Sequence, residues 1–421
     1  MKKLVMAAAV LGAFAGSAQA QTSVTLYGIA DGDVRFDHTN IGTLKSVGSG
    51  GESGSRWGLR GTEDLGGGLK ANFIFEQGFD LSDNSVPQGS IGGGASAGFG
   101  GSSTQNHSSS GSRLFGRIAT VGLSGGFGEV RFGRSYNPVF LVQATADPFG
   151  AGFVAQTSNL YTNLTIRNDN AIYYDSPKFI GGLQLSSAYQ FGESTTNTTA
   201  PSATGQAKRG NDRYEFGITY ANGPLFVGAA YEQIRSNLDT YRVRTADAAA
   251  TYDFGFVKLH AIYYRTKNDN PNQLIAFGNT VSLKENTYNV GFTVPFGAWT
   301  FLGQYGHLSD KSVSNVPGVD LGHPKVNNFG LGGRYSFSKR TIFYFAYSRF
   351  NMKNGPAGNA YQGFGGIADA SNAGLYTAGN LYDTTTPVVA GSNAALVRAS
   401  GVGINQNVSP YSYQFGIRHS F

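Results

Sequence analysis

The chain has 421 residues, of which 40% are hydrophobic and 14% charged, and its formal net charge is +6. It contains 61 glycines, 30 phenylalanines and 23 tyrosines, but no cysteine. A charged fraction this far below the ~25% of average soluble domains, together with many glycines and aromatics, disfavours a helical protein. The absence of cysteine excludes disulfides, thiolate metal sites and a cysteine nucleophile.

The first twenty residues have the pattern of a secretory signal peptide. Lys2 and Lys3 precede an apolar stretch over 4–16, and Ala18-Gln19-Ala20 supplies small residues at the cleavage position. We therefore expect residues 1–20 to be removed and residues 21–421 to form a single domain. Beyond Ala20 there is no run of 18 or more apolar residues, so no transmembrane helix is predicted.

The remaining chain alternates with the two-residue period of β-strands and shows no helical period of useful length. In the last segment, Tyr413, Phe415 and Ile417 share one side, while Gln414 and Arg418 share the other. About sixteen such runs of about ten residues are predicted, a length that suits strands tilted across a hydrocarbon layer. The runs lie near 22–37, 55–62, 68–80, 112–123, 128–135, 169–177, 181–192, 212–221, 224–236, 242–253, 256–267, 286–296, 298–309, 326–337, 340–350 and 410–421.

The links between these predicted strands alternate between short and long. Short links include 63–67, 124–127, 222–223, 254–255 and 338–339; long links are 38–54, 81–111, 136–168, 193–211, 268–285, 310–325 and 351–409. Short turns at one end and long loops at the other are typical of outer-membrane barrels. A secreted β-sandwich or propeller with one solvated face is the alternative, but it does not predict this alternation of lengths.

The second face of the predicted strands is rich in Arg, Lys, Glu, Gln, Ser and Thr. Such a face is too costly to bury in a dry core, so it must be in contact with water. Strands cross a membrane only as a closed sheet, and about sixteen of them enclose an aqueous channel. We therefore predict an all-β, transmembrane antiparallel β-barrel of 16 strands with a wet interior.

Several motifs in fixed order identify a family. They are Ser-Val-Thr-Leu-Tyr-Gly at 23–28, the turn at 121–128, Arg-Phe-Gly-Arg-Ser-Tyr-Asn-Pro at 131–138, the stretch 168–177 and the closing segment 415–421. Together they resemble the Gram-negative general porins of the β-proteobacterial (neisserial and Burkholderia-type) class. The resemblance covers the whole mature chain and implies a trimeric, sixteen-stranded barrel in the outer membrane. It also implies that loop 136–168 folds inward as the constriction, and that Phe421 is the signal read by the barrel-assembly machinery.

Basic residues occupy the predicted inner wall. Strand parity places Arg35, Arg56, Arg60, Lys70 and Arg131 there, with Arg117 as a sixth candidate because the parity of its strand is ambiguous. The family resemblance places such residues across from the inward loop, in which Asp147 is the one acidic group before Asp169. A basic wall facing an acidic loop produces a transverse field, so we predict a weak to moderate preference for anions.

Patterns for catalysis are weak. Gly-x-Ser-x-Gly occurs around Ser96 and Ser124, but in a predicted loop and a turn rather than between a strand and a helix. The six histidines lack metal-ligand spacing, and Asp31 and Asp33 fit solvated wall positions better than an acid–base pair. We therefore expect a protein that is not an enzyme, with no cofactor and no metal. The expected partners are a second and third copy of the chain, outer-membrane lipid and lipopolysaccharide, the assembly machinery, and small hydrophilic solutes and ions, but no nucleic acid.

Three functions stay open at this point. A general diffusion porin is favoured; the second is a solute-specific channel in which Phe115, Tyr173 or Phe149 form a sliding track. The third is an adhesin-like barrel that binds through its long loops. Stepwise conductance would separate the third from the others, and block by one solute would separate the second from the first.

Overall fold

The computed structural model describes residues 23–39, 42–82, 114–150, 152–161, 164–192, 212–235, 242–274, 279–311, 313–314, 323, 325–355 and 406–421. The predicted signal peptide 1–20, the predicted loop 193–211 and most of the predicted loops 81–111 and 351–409 lie outside the described residues. Within the described residues, no helix is long and apolar enough to cross a membrane.

The described chain is one antiparallel sheet of nineteen strand segments. These are β1 (Ser23–Thr39), β2 (Gly42–Ser49), β3 (Arg56–Gly66), β4 (Leu69–Gly78), β5 (Ile118–Gly125), β6 (Gly128–Tyr136), β7 (Arg167–Asp175), β8 (Leu183–Gln190), β9 (Arg213–Asn222), β10 (Leu225–Arg235), β11 (Arg242–Asp253), β12 (Lys258–Leu274), β13 (Asn279–Phe296), β14 (Trp299–Asp310), β15 (Val313–Ser314), β16 (Lys325–Ser336), β17 (Thr341–Gly355), β18 (Gln406–Val408) and β19 (Tyr411–Ser420).

Three pairs of these segments are single strands with an interruption. β2 and β3 both pair with β1, β14 and β15 both pair with β13, and β18 and β19 both pair with β17. The sheet therefore has sixteen strands, and the pairing of β1 with β19 closes it into a barrel. The predicted all-β class, strand number and antiparallel order are confirmed.

The two faces of the barrel differ as the alternation predicts. In β19, Phe415 and Ile417 are exposed at 45% and 54%, whereas Gln414 is fully buried. An exposed apolar residue on every second position, repeated around a closed sheet, is the surface expected against lipid. The polar residues between them point into the barrel.

Two predicted loops are partly strand. The link predicted over 38–54 contains β2, and β12 and β13 extend through the described part of the loop predicted over 268–285. Both extensions are rich in polar residues, so they lack the apolar alternation that marks a strand inside the hydrocarbon layer. Backbone hydrogen bonds continue the ladder beyond that layer without apolar side chains.

The sequence showed no helical period, but Pro138–Ala146, inside the loop predicted over 136–168, forms helix α1. Asn137 caps the helix, since its Oδ1 accepts from the Phe140 amide at 2.8 Å, and Pro138 occupies the first turn. The helix is apolar on almost every side, because Val139, Val142 and Ala146 pack against the wall and Leu141 is exposed. A segment without a polar face has no helical period, which is why the sequence pattern did not reveal it.

Candidate functional site: the lumen loop and the basic wall

The connection between β6 and β7 folds into the barrel. It contains α1 and a single 3-10 turn at Thr157–Leu160, and we call residues 137–166 the lumen loop. Asn137 joins its two ends: the Asn137 amide donates to the Ile166 carbonyl at 3.2 Å, and the Asn137 side-chain amide donates to the Thr165 carbonyl at 2.8 Å. The loop therefore leaves and rejoins the wall at one narrow neck.

Small residues on the inner wall allow the loop to lie flat against the later strands. A Cβ added at Gly306 of β14 would lie 2.6 Å from Leu160 Cδ1. At Gly330 of β16 it would lie 2.7 Å from the Ala155 Cβ. Both distances are shorter than any ordinary carbon contact, so a larger side chain at either glycine would displace the loop from the wall.

Apolar packing fixes the loop to this wall in two clusters. In the first, Val139, Val142, Ala146, Leu160 and Tyr161 of the loop meet inward-facing residues of β10 to β17, among them Ile262, Tyr264 and Phe350. In the second, Phe149, Phe153, Val154 and Ala155 pack on Leu302, Tyr344 and Ala346. Tyr161 stacks on Tyr264 with ring centroids 4.2 Å apart, and burial raises the pKa of the Tyr161 hydroxyl well above its usual range. The core of the molecule thus lies inside the barrel, between the loop and one side of the wall.

Polar contacts fix the tip of the loop. The Val154 amide donates to Gln414 Oε1 at 3.0 Å, and Gln304 Nε2 donates to the Ala155 carbonyl at 2.5 Å. Arg334 lies over the Phe153 ring, with its Cζ 5.1 Å from the ring centroid. The same guanidinium contacts Glu52 Oε1 at 2.6 Å, and this links the tip to a second inward segment.

That second segment is the turn at 50–55, between β2 and β3. Asp31 holds it, because Asp31 Oδ2 accepts from the amides of Glu52 and Ser53 at 2.9 and 2.7 Å. Tyr344 donates to the other oxygen of Asp31 at 2.5 Å. Asp33 is bound separately, to Arg35 and to the Gln414 amide. Asp31 and Asp33 are therefore anchors of the inward turn and its surroundings.

The opposite side of the lumen carries a cluster of four arginines, which we call the basic wall: Arg56, Arg117, Arg134 and Arg167. Arg117 Nη2 and Arg167 Nη2 both donate to the Tyr136 hydroxyl, each at 2.7 Å. Glu76 pairs with Arg117 at 2.7 Å and with Arg56 at 3.4 Å. Asp169 pairs with Arg134. These contacts join three guanidinium groups to two carboxylates and the fourth, that of Arg167, to the Tyr136 hydroxyl, beside the neck of the lumen loop.

The other basic residues predicted from the sequence lie on the inward face but apart from this cluster. Arg35 pairs with Asp33 at 2.5 Å, and Arg131 pairs with Asp175 and lies 3.6 Å from Glu129. Arg60 is exposed, with its Cζ 5.3 Å from the centroid of the Tyr27 ring. Lys70 is exposed near the short turn between β3 and β4.

Asp147, the predicted acidic group of the loop, is bound within the loop itself. Its Oδ1 accepts from the Phe149 amide at 2.8 Å, and its Oδ2 accepts from the amide and hydroxyl of Thr157, each at 3.0 Å. The residue is 5% exposed. The geometry gives Asp147 the role of joining helix α1 to the 3-10 turn.

Strand parity missed Arg134 and Arg167. Gly133 has φ of 121°, and the register between β6 and β7 shifts between Gly133 and Ser135. This bulge turns Arg134 inward, against the parity counted from Arg131. Arg167 was missed because the predicted strand began two residues later, at 169. For Arg134, the glycine at position 133 was the signal in the sequence that could have indicated a bulge.

The proposed aromatic track is wrong for the three residues suggested. Phe149 and Tyr173 are buried at 0% and 2% exposure, so neither presents a ring to a passing solute. Phe115 packs with Phe75 and Trp57, at centroid distances of 5.1 and 6.0 Å, on the outer face of β3 and β4. Sequence alternation does not identify which inward aromatics the lumen loop covers.

Phe421 completes the closure of the barrel. Its ring lies directly over Gly28 of β1, where any added Cβ would clash with it. The backbones of Gly28 and Phe421 exchange two hydrogen bonds, each of 3.1 Å. Recognition of Phe421 by the assembly machinery stays a prediction.

Known proteins share both the sequence and this architecture. Residues 7–355 match the family model described as Gram-negative porin. An outer membrane porin protein of Bordetella pertussis is 33% identical over 391 residues, covering 82% of this chain and 93% of the relative. Outer membrane porin protein 32 of Delftia acidovorans is 32% identical, with full coverage of both chains.

A solved structure resembles the whole barrel. The anion-selective porin from Comamonas acidovorans has a TM-score of 0.67 and 27% identity, covering 95% of this chain and 100% of that chain. The closed sixteen-stranded sheet, the inward loop and these sequence matches agree. The chain belongs to the Gram-negative porin family, whose members are β-barrel proteins of the outer membrane.

Proposed function

We propose that this porin is a passive, water-filled channel for ions and small hydrophilic solutes, with a preference for anions. The observation that carries the preference is the excess of four guanidinium groups over two carboxylates in the basic wall. The facing lumen loop carries one carboxylate, Asp147, which is 5% exposed and directed at donors of its own loop rather than into the lumen. Rings of charge at a narrow point set ion selectivity, and low-dielectric walls focus their field.

The wall residues contribute unequally in this proposal. Arg167 contributes most, since its contacts among the described residues are to Tyr136 rather than to a carboxylate. Arg35 and Arg131 contribute less, because paired carboxylates cancel much of their field. Arg60 and Lys70 contribute to the field nearer the end of the barrel that carries the short turns. The anion selectivity named for the Comamonas acidovorans porin supports the same sign here.

The test is the reversal potential of the channel in planar bilayers under a KCl gradient. We expect anion preference, and we expect Arg167→Gln to reduce it by at least a third of the measured potential. Arg340→Gln is the matched control, because Arg340 is exposed on the short turn between β16 and β17. The preference should also weaken from 0.1 to 1 M salt, as the Debye length falls from about 10 to about 3 Å. Cation preference in the unaltered protein would overturn the proposal.

A homotrimer is the proposed assembly. OmpT of Vibrio cholerae, which shares the fold at 14% identity and a TM-score of 0.56, is described in a trimer form. The mass of the purified protein, measured by light scattering with the detergent contribution subtracted, should equal three copies of the chain. A single-copy mass that persists in mild detergent would contradict this.

A further inference from the structure

A row of basic residues crosses the outer face of β10 to β13, near the end of the barrel opposite the short turns. Ile234 and Val243 are buried on the inner face, so the neighbouring Arg235 and Arg242 point outward. The Cζ atom of Arg235 lies 5.6 Å from the centroid of the Tyr214 ring, on the outer face of β9. The row, which we call the outer basic row, consists of Arg235, Arg242, Arg244, Arg265, Lys267 and Lys284.

The strand register places cations of this row directly opposite one another. Arg235 pairs with Arg242 across β10 and β11. Lys267 of β12 has a cation on each side, Arg244 of β11 and Lys284 of β13. Neighbouring strands are about 4.8 Å apart, and like charges directly opposite each other destabilise a sheet. Three such pairs on four successive strands are costly unless negative charge approaches them, so this surface is suited to anionic groups.

The acidic residues of the same four strands lie mostly elsewhere. Glu232, Asp247 and Glu285 are buried on the inner face. Asp253 is at the short-turn end of β11, and Asp269 lies beyond the row, further from the short turns on β12. The basic residues of the row therefore greatly outnumber the acidic residues on this part of the outer face.

From the row toward the short turns, the outer face becomes aromatic and then apolar. Tyr263 and Tyr288 pair across β12 and β13, with ring centroids 5.0 Å apart. Val227 and Val290 follow nearer the short turns and are exposed at 44% and 57%. Aromatic girdles mark the edges of the apolar band, and short turns face the periplasm. The outer basic row therefore lies at the headgroup level of the outer leaflet.

We propose that the outer basic row binds the phosphate groups of an anionic lipid of the outer leaflet, the chemical class of lipopolysaccharide. Arginine guanidinium groups take phosphate oxygens as charge-assisted, two-point hydrogen bonds, and the lysines add point charges. The acyl chains of the same lipid cover the apolar face beside the tyrosines. A free phosphate ion gains nothing from that apolar face, so a lipid is the ligand that fits both surfaces. The site lies outside the channel and is separate from the residues that set ion selectivity.

Three probes test the proposal on the unaltered, detergent-solubilised protein. They are diphosphorylated lipid A, the same lipid A after removal of its phosphates, and inorganic phosphate. Native mass spectrometry over a series of lipid concentrations should show at least tenfold tighter binding of the phosphorylated lipid, and excess inorganic phosphate should not displace it. Equal binding of the two lipids would show packing of acyl chains alone, and displacement by inorganic phosphate would show a free-anion site. Absence of lipid A binding would leave the row to an acidic protein partner. Each of these three results overturns the proposal.

A double substitution locates the binding. Arg244→Gln with Lys267→Gln removes one directly opposed pair of cations and should weaken binding of phosphorylated lipid A at least fivefold, with binding of the dephosphorylated lipid unchanged. The matched control, Lys339→Gln with Arg340→Gln, removes the same charge from exposed positions on a short turn and should leave both affinities unchanged. Equal weakening in the two double variants would show an effect of net charge alone and overturn the assignment. KCl conductance in bilayers checks that each variant forms a channel. The comparison of the three probes stands on its own if either variant does not fold.

Discussion

The two sides of the inner wall differ in whether the lumen loop covers them. On the later strands, β9 to β17, the lumen loop covers the wall and packs on inward residues such as Gly306, Ile262 and Phe350. Buried polar residues, among them Asn289 and Gln304, lie between these small and apolar ones. On β3 to β7 the wall is bare, and it carries the arginines that cluster around Tyr136. The outer face shows the same apolar alternation on both sides.

This difference separates stability from selectivity within one barrel. Apolar burial under the loop stabilises the constriction, because each fully buried large side chain contributes about 1.5–3 kcal/mol. Apart from the buried Arg117–Glu76 pair, the ion pairs of the bare side are partly exposed, and such pairs are worth about 0–1 kcal/mol each. Its arginines instead produce a positive electrostatic potential in the water of the lumen. Changes on the two sides should therefore have different consequences.

The largest effect should come from a wedge under the loop. Gly306→Leu places a side chain where the Leu160 methyl group already lies, so the loop must move toward the basic wall and narrow the channel. We expect single-channel conductance to fall at least twofold. The control is Gly126→Leu, on a turn where an added Cβ meets no atom within 4 Å. Unchanged conductance in Gly306→Leu would show that the loop does not border the narrowest part.

A substitution under the loop should lower the free energy of unfolding more than a substitution on the bare wall. Phe153→Ala deletes a fully buried ring from the second apolar cluster and should lower the free energy of unfolding by about 3–5 kcal/mol. Arg131→Gln on the bare wall removes a partly exposed ion pair and should cost less than about 1 kcal/mol. Urea titration in lipid vesicles, followed by the fluorescence of the two tryptophans, measures both. Similar costs for the two variants would contradict the division of roles.

The smallest effect is also the most specific. Asp147→Asn weakens three hydrogen bonds that hold the loop together and should cost about 1–3 kcal/mol of stability. The reversal potential should change less than in Arg167→Gln, because the Asp147 carboxylate is 5% exposed and is directed into the loop rather than into the lumen. If Asp147→Asn shifts selectivity more than Arg167→Gln does, the acidic loop predicted from the sequence is the better description.

Most of the barrel could be predicted because its faces obey one local rule. Successive residues of a strand, as in β1 and β19, alternate between lipid and lumen, and this is visible in the sequence. The rule failed where local geometry breaks the period, as at Gly133, where a bulge reverses the side on which Arg134 emerges. It also failed at α1, where apolar residues occupy the exposed side, as Leu141 does, as well as the covered side, so no helical period is visible.

The number of strands and the polarity of each face can be read from the order of the amino acids, because contact with lipid acts on every second residue along the chain. Which inward residues are covered and which remain in water is known only from the folded barrel. That outcome depends on where the lumen loop lies, and the loop is positioned by contacts with strands far away in the chain, such as the bond between Val154 and Gln414, which are 260 residues apart. No local pattern contains information about partners at that separation.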